Sequence, residues 1–251
     1  PGAKLPSERD LAQHLGVSRP LIREAMRSLV ERGLVEVSPG RGAFIRAAST
    51  TEAARPLGSH YRRQKITLRN LIEVRAMIEP PAARLAATRA TEPEIEALRE
   101  AVERTDASKA LLERARWDLA IHRIVSRMPH NPMIETTFES IVPLIFELML
   151  RSLSDRTVVA ASAPYHRALY EAIRDRRPED AYDAMLAHHE SGRLVYDADL
   201  DSSIHEVAQR ELAKLLGAAS IRELSDEEAA KVKAQLLDIC KTIPALAIFA
   251  L

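Results

Sequence analysis

One carboxylate and three imidazoles have a spacing in this sequence that could bind a metal ion. Asp118 and His122 lie four residues apart, which places both on one face of a helix. His166 and His188 fall in two later segments, each with apolar residues at helical spacing. An aspartate and three histidines that project into one helical core suit a divalent transition metal, namely Zn, Ni, Mn or Co, with room for a water or a ligand oxygen.

The same spacing leaves other interpretations open. His189 shares a second apolar face with Tyr182 and Leu186, so periodicity alone does not choose between His188 and His189. Each of these histidines, considered alone, is more typical of an ordinary core or surface residue than of a metal ligand. An Asp/His cluster also suits a metal-dependent enzyme that activates water, or a closed structural metal site in a binding protein. The sequence has no His-Glu-x-x-His motif beside the cluster, which argues against an enzyme.

A helical bundle must position these side chains. From Thr67 onward apolar residues recur at helical spacing, and no glycine occurs between Gly58 and Gly192, which disfavours strands joined by tight turns. The pair Pro80-Pro81 predicts a kink or break. Residues 49–66 lack sustained apolar periodicity and are predicted to be a linker. The sequence therefore predicts a mainly α protein with an antiparallel helical bundle over residues 67–197, with helices near residues 91–107, 110–128, 131–151, 155–175 and 178–197.

The first fifty residues have the pattern of a winged helix-turn-helix. Ser7 and Asp10 have the spacing of a helix cap, which predicts a short helix. Gly16-Val17-Ser18 predicts a turn, and the helix that follows carries arginines opposite its apolar face. Two strand-like runs flank the turn Ser38–Gly42 and predict a hairpin, the wing. Residues 1–48 are therefore predicted to be a DNA-binding domain whose second helix enters the major groove of double-stranded operator DNA.

Composition narrows the classes of protein. The 251 residues are 46% hydrophobic and 29% charged, which excludes a disordered chain. The single Cys240 forms no internal disulfide, and Pro1–Ser7 lacks signal-peptide character, so we expect a cytoplasmic protein. The net charge of zero hides an asymmetry along the chain. Residues 1–50 contain eight Lys or Arg and five Asp or Glu, so this segment has a net charge of +3 and the remaining residues have −3. The apolar residues 243–251 are too few to cross a bilayer, so no membrane partner is expected.

The run LPSERDLAQHLGVSRPLIREAMRSLVERGLVEVSPGRGAFI resembles the winged helix-turn-helix of GntR-type bacterial transcription regulators. The resemblance implies that five residues contact the operator: Arg9, Ser18, Arg19, Arg23 and Gly40. An arginine can donate two hydrogen bonds to one guanine, while a serine hydroxyl and the amides at a helix N-terminus bind phosphate. Members of the family normally have a further helix upstream, so we expect this domain to be N-terminally truncated, with its first helix missing.

Three later runs, LRNLIEVRAMIEPPAARLAA, WDLAIHRIVSRMPHNPMI and YHRALYEAIRDRRPEDAYDAMLAHHESGRL, resemble the helical ligand-binding (FCD) domain of the fatty-acid-regulator branch of that family. In metal-binding members the resemblance implies that the metal ligands are Asp118, His122, His166 and His188, which selects His188 over His189. Arg75 occupies the position that commonly binds an effector carboxylate. Its other interpretation is an ordinary helix-surface arginine paired with Glu79 or Glu73.

The resemblance implies a ligand-responsive transcription regulator rather than an enzyme. Its effector is expected to be a small organic or sugar acid, such as a 2-hydroxy acid, held between the metal and Arg75. A homodimer is expected, since regulators with one recognition helix per chain pair to read a two-fold operator. Residues 198–251 lie outside the resemblance, and the sequence assigns them no function. Within them the pattern predicts helices at Glu206–Leu216 and Asp226–Thr242.

Overall fold

The computed structural model describes residues 1–47, 49–153, 156–193, 196 and 198–215. The chain divides into two compact units, one formed by Pro1–Ala53 and the other by the residues from Ala54 onward. In chain order, the elements are α1 (Glu8–Leu15), α2 (Arg19–Glu31), β1 (Val35–Ser38), β2 (Gly42–Ile45), α3 (Thr50–Arg63), α4 (Leu68–Arg89), α5 (Glu92–Ala107), α6 (Leu111–Arg127), α7 (Pro132–Leu153), α8 (Arg156–Arg174), α9 (Pro178–Arg193) and α10 (Ile204–Leu215).

The first unit contains the predicted helix-turn-helix, and its helix ends follow from local capping. The Ser7 hydroxyl oxygen accepts a hydrogen bond from the backbone N–H of Asp10 at 3.2 Å, which caps α1. Gly16 ends this helix in the left-handed conformation at φ 66°, where a side chain would be strained. Ser18 precedes α2, and Pro20 lies in its first turn, where the missing N–H has no intrahelical partner.

The predicted wing is the hairpin of β1 and β2. The two strands pair antiparallel, with Val35 opposite Ile45 and Ser38 opposite Gly42. The backbone N–H of Gly2 also donates to the carbonyl of Ile45 at 2.7 Å, so the N-terminal residues pair with β2. The first unit is therefore a winged helix-turn-helix, as the sequence predicts.

Within the predicted linker over residues 49–66, Thr50–Arg63 form the helix α3, which the lack of apolar periodicity did not predict. Although the sequence of α3 has no long apolar face, Ala54 is buried at 2% exposure. Gly58 allows a close approach, because a Cβ at this position would lie 3.0 Å from the backbone oxygen of Ser140. Small residues therefore let this helix pack closely, a property that a search for large apolar residues does not detect.

The predicted break at Pro80-Pro81 is also wrong, because α4 continues through both prolines. A proline inside a helix loses one backbone hydrogen bond and tends to kink the helix. Pro80 is buried, and the next turns place Ala83, Ala86 and Ala87 fully inside an apolar cluster. Packing of these small side chains against neighbouring helices outweighs the lost backbone hydrogen bond.

The second unit is the predicted helical bundle, with two apolar clusters in its interior. One cluster includes Phe138 and Phe146 of α7, and the other includes Leu98, Ile121 and Ile173. Helix α4 packs on α6, α8 and α9, and α8 packs on α9. These four helices carry the residues predicted to bind metal and effector. No helix among the described residues has the length and apolar character needed to cross a membrane.

Part of the segment left unassigned beyond residue 197 belongs to the bundle. Helix α10 packs on α7, and Ile204 and Val207 are each 1% exposed in the first apolar cluster. The segment before it is held to the start of α4, where the Arg69 guanidinium donates to both oxygens of Asp201 at 2.9 and 3.0 Å. The predicted helix Asp226–Thr242 and the apolar residues 243–251 lie outside the described residues.

Replacing Ile204 by alanine should lower the free energy of unfolding of the second unit by about 2–5 kcal/mol, because truncation of a fully buried side chain leaves a cavity. The control is Glu206→Ala on the exposed side of α10, for which we expect a change below about 0.5 kcal/mol. Urea denaturation followed by the fluorescence of Trp117, the only tryptophan of the chain, reports on the second unit. Equal stability of the two variants would mean that α10 is not part of the core.

Candidate functional site

Three imidazoles from three helices meet inside the bundle. His122 of α6, His166 of α8 and His188 of α9 each offer a ring nitrogen, and these nitrogens all lie within 4.8 Å of one another. The carboxylate of Asp118, one turn before His122, lies beside them. Its Oδ1 is 3.4 Å from His166 Nε2, and its Oδ2 is 3.8 Å from His122 Nε2. The four predicted metal-binding residues therefore lie together.

For two residues of this cluster, His166 and His188, burial favours the neutral imidazole. His166 Nε2 and His188 Nδ1 are buried and have no hydrogen-bond partner among the described residues. Burial lowers the pKa of His166, while burial and the neighbouring His166 and His122 rings lower the pKa of His188 well below its ordinary value. A neutral imidazole with a free lone pair is the form of histidine that binds a metal. The donor set thus fits a transition metal bound by nitrogen and carboxylate oxygen.

His189 lies near the cluster but makes a different contact. Its Nε2 is 3.4 Å from Oε2 of Glu79, and its side chain is 6% exposed. The three rings with convergent nitrogens include His188 and leave His189 out. Periodicity could not choose between these neighbours, because the choice depends on how α9 is rotated against α4 and α8.

Arg75, the residue expected to bind an effector, is buried beside the histidines. Its Nε donates to Oε1 of Glu79 at 2.5 Å, and its Nη2 donates to Oε2 of the same residue at 3.3 Å. Burial raises the pKa of Glu79, but Arg75 and His122 outweigh this effect and hold its pKa well below the ordinary value. Sequence reasoning considered Glu79 only as a surface partner of Arg75. The four-residue spacing between Arg75 and Glu79 indicated that the two side chains could pair, but spacing carries no information on burial.

A small cavity adjoins the cluster, with a volume of about 40 Å³. Arg75, Asp118 and His188 line it together with three hydroxyl groups, those of Ser152, Ser162 and Tyr196. The hydroxyls of Ser152 and Tyr196 are 2.5 Å apart. The cavity is therefore polar on the side of the metal-binding residues and offers further hydrogen-bonding groups to a small ligand.

The predicted DNA-binding residues lie on the exposed surface of the first unit. Ser18 stands at the N-cap of α2 with no side-chain capping bond, so its hydroxyl is available to a phosphate. Arg19 is the first residue of α2 and is exposed. Arg9 of α1 is also exposed, with its Nε 3.6 Å from the neighbouring Asp10. Arg23 pairs with Glu8 at 3.2 Å, which ties the start of α1 to α2.

The wing offers one basic residue that the sequence analysis did not select. Gly40 lies in the turn of the hairpin at φ 73°, with open space around it. The next residue, Arg41, is exposed and its guanidinium carbon lies 5.6 Å from the centre of the Phe44 ring. A cation–π contact of this kind holds a surface arginine near the tip of the wing.

A winged helix-turn-helix with exposed arginines, followed by a helical unit, is the architecture of a DNA-binding transcription regulator. Residues 1–45 match the family model of bacterial regulatory proteins, gntR family, and residues 70–191 match that of the FCD domain. The chain belongs to the GntR family of transcription regulators, and its second unit contains an FCD domain. The family and the relatives found are regulators and not enzymes.

Similar proteins support this assignment along most of the chain. The Glc operon transcriptional activator of Escherichia coli (strain K12) is 31% identical over 191 residues, which cover 74% of this chain and 72% of that protein. The galactonate operon transcriptional repressor of the same strain is 30% identical over 197 residues, covering 74% and 84% respectively. The solved structure of Streptococcus agalactiae GntR has a TM-score of 0.54 at 29% identity, covering 77% of this chain and 90% of that one.

In protein freed of metal by a chelator, His188→Leu should leave the free energy of unfolding unchanged or raise it by about 1–2 kcal/mol, because it removes a buried nitrogen without a partner. The matched substitution His122→Leu should lower it by about 1–3 kcal/mol, because the buried Glu79 then loses a hydrogen bond. Chemical denaturation with chelator present measures both. An equal loss in the two variants would contradict the assignment of an unpartnered nitrogen to His188.

Proposed function

We propose that this regulator binds a divalent metal and a small carboxylate effector in its second unit, and that the effector changes its affinity for operator DNA. The observation that carries the proposal is the pair of buried nitrogens on His166 and His188, which have no hydrogen-bond partner in the part of the chain that the structure describes. His188 also lines the cavity that Arg75 faces. A buried polar atom without a partner costs free energy, and a ligand that pairs with it recovers that cost.

The proposed metal ligands are Asp118, His122, His166 and His188. Ligand atoms bonded to one ion at about 2.0–2.2 Å lie up to roughly 4 Å apart, so small side-chain movements would bring the three imidazoles onto a common ion. Some FCD domains bind metal. The nitrogen-rich set with one carboxylate suits Zn, Ni, Mn or Co. A bound ion would supply a Lewis acid to which an effector oxygen can bind.

The proposed effector is a small organic or sugar acid. Arg75 is the cation that faces the cavity, and its Nη1 makes no hydrogen bond to a described residue. One relative is named for a galactonate operon, and galactonate is a sugar acid. The cavity of about 40 Å³ exceeds the roughly 10–15 Å³ that one water needs, so it fits a ligand of a few atoms. A 2-hydroxy acid of two or three carbons matches this size, and a sugar acid would have to widen the cavity.

The first unit is proposed to contact operator DNA through Arg9, Ser18, Arg19, Arg23 and Gly40, with Arg41 added at the wing. Arginines at the start of α2 would read base edges in the major groove, and the Ser18 hydroxyl would bind phosphate. We propose that two chains act together as a homodimer, since one recognition helix per chain reads half of a two-fold operator. A regulator of this kind would act on DNA in the cytoplasm.

Arg19→Ala should weaken binding to a duplex selected from a random pool by about 5- to 150-fold, which corresponds to the ~1–3 kcal/mol expected for one base-contacting arginine. The control Arg32→Ala, at the other end of α2, should change affinity less than about two-fold. Fluorescence anisotropy with the full chain at several salt concentrations measures both affinity and salt dependence. Equal affinity of the Arg19 and Arg32 variants would refute the assignment of the recognition surface.

Metal loading should be needed for carboxylate binding. Isothermal titration of Ni²⁺ or Zn²⁺ into chelator-treated protein should give tight binding in the wild type and at least a tenfold weaker affinity in Asp118→Ala and His166→Ala. Lactate should then bind only to the loaded protein, while 1,2-propanediol, which lacks the carboxylate of lactate, should not bind. Arg75→Lys should keep metal affinity but weaken carboxylate binding about tenfold, because lysine lacks the planar guanidinium that can donate two parallel hydrogen bonds to a carboxylate. Unchanged metal affinity in both ligand variants would disprove the site.

A further inference from the structure

Glu79 connects the two halves of the proposed site. Its carboxylate is 2% exposed and lies on α4, one turn after Arg75. One oxygen accepts from Arg75 Nε at 2.5 Å, while the other is 2.5 Å from His122 Nδ1 and 3.4 Å from His189 Nε2. A single buried carboxylate thus touches the effector-facing arginine and a metal-facing histidine.

The contact with Glu79 determines which ring nitrogen of His122 carries the lone pair that could bind a metal. A carboxylate only accepts hydrogen bonds, so the Nδ1 that approaches Glu79 must carry the hydrogen. The lone pair of a neutral ring is then on Nε2, and this is the nitrogen 3.8 Å from the carboxylate of Asp118. Carboxylates that hold the second nitrogen of a metal-binding histidine in this way fix its tautomer and raise its basicity.

The contact with Arg75 determines how the guanidinium is presented. Glu79 engages the Nε and Nη2 edge of the guanidinium in a two-pronged arrangement. The Arg75 Nη2 is also 3.4 Å from both ring nitrogens of His122, so the guanidinium lies against the imidazole. Any displacement of the glutamate would therefore move both groups.

We propose that Glu79 is a positioning residue that orients His122 for metal and Arg75 for the effector, and so couples the two binding steps. The inference rests on the proposed function, because it assumes that these residues bind metal and carboxylate. Coupling of this kind is reciprocal: metal should strengthen carboxylate binding, and carboxylate should strengthen metal binding by the same factor. Glu79→Gln should reduce that factor.

The test compares Glu79→Gln with Glu139→Gln in the full chain. Glu139 is also a buried carboxylate paired with arginine, since it accepts from Arg123 at 2.9 and 3.0 Å, but within the described residues it has no hydrogen bond or ion pair with the histidine cluster. In titrations with Ni²⁺ alone, Glu79→Gln should lose 10- to 100-fold in affinity, and Glu139→Gln less than about two-fold. Equal metal affinity in wild type and Glu79→Gln overturns the proposal.

A second measurement does not depend on how the variant folds. Nuclear magnetic resonance of ¹⁵N-histidine in the chelator-treated wild type should find His122 protonated on Nδ1. Protonation on Nε2 instead would overturn the role of Glu79, even if Glu79→Gln fails to fold. If the wild type binds no metal at all, the proposed function fails, whereas normal metal binding with an unaffected Glu79→Gln removes this inference alone.

Discussion

The helical unit keeps several ionisable groups away from water, and the need to satisfy them governs its interior. An ion moved into a protein core loses several kcal/mol of solvation unless it is paired. Arg75 and Glu79 satisfy each other through two hydrogen bonds. His166 and His188 avoid the cost in another way, because burial favours their uncharged form. Within the described residues, His166 Nε2, His188 Nδ1 and the neighbouring His189 Nε2 have no hydrogen-bond partner. Burial of the two apolar clusters supplies free energy that offsets the cost of these polar groups.

This arrangement is typical of a binding site and not of a core optimised for stability. Unsatisfied buried polar atoms are rare in folded proteins, and each calls for an explanation such as an ion. The histidines come from α6, α8 and α9, while the arginine and glutamate come from α4. A ligand that draws these groups together acts on four helices at once. Rigidly packed helices change position in discrete steps, which makes such a site suitable for a sensor.

The sequence predicted those features that local chemistry determines. The cap at Ser7, the left-handed Gly16 and the early Pro20 define the helix-turn-helix without help from distant residues, and Asp118 with His122 follows from helical spacing. Features that depend on tertiary packing were missed or wrong. The helix α3, the unbroken α4 and the docking of α10 all rely on contacts with other helices. The central position of Glu79 belongs to the same group, because spacing to Arg75 says nothing about burial.

The geometry of the sensor does not determine whether the effector increases or decreases transcription. Among the similar proteins, one is named as an activator and another as a repressor, at 31% and 30% identity to this chain. A ligand shifts an equilibrium only by its differential affinity for the two states. In the proposed function, the buried site would set which ligand is recognised and how strongly that ligand favours one arrangement of the bundle. In the proposed homodimer, the sign of regulation would then depend on whether that arrangement holds the two winged domains at the spacing of the operator half-sites.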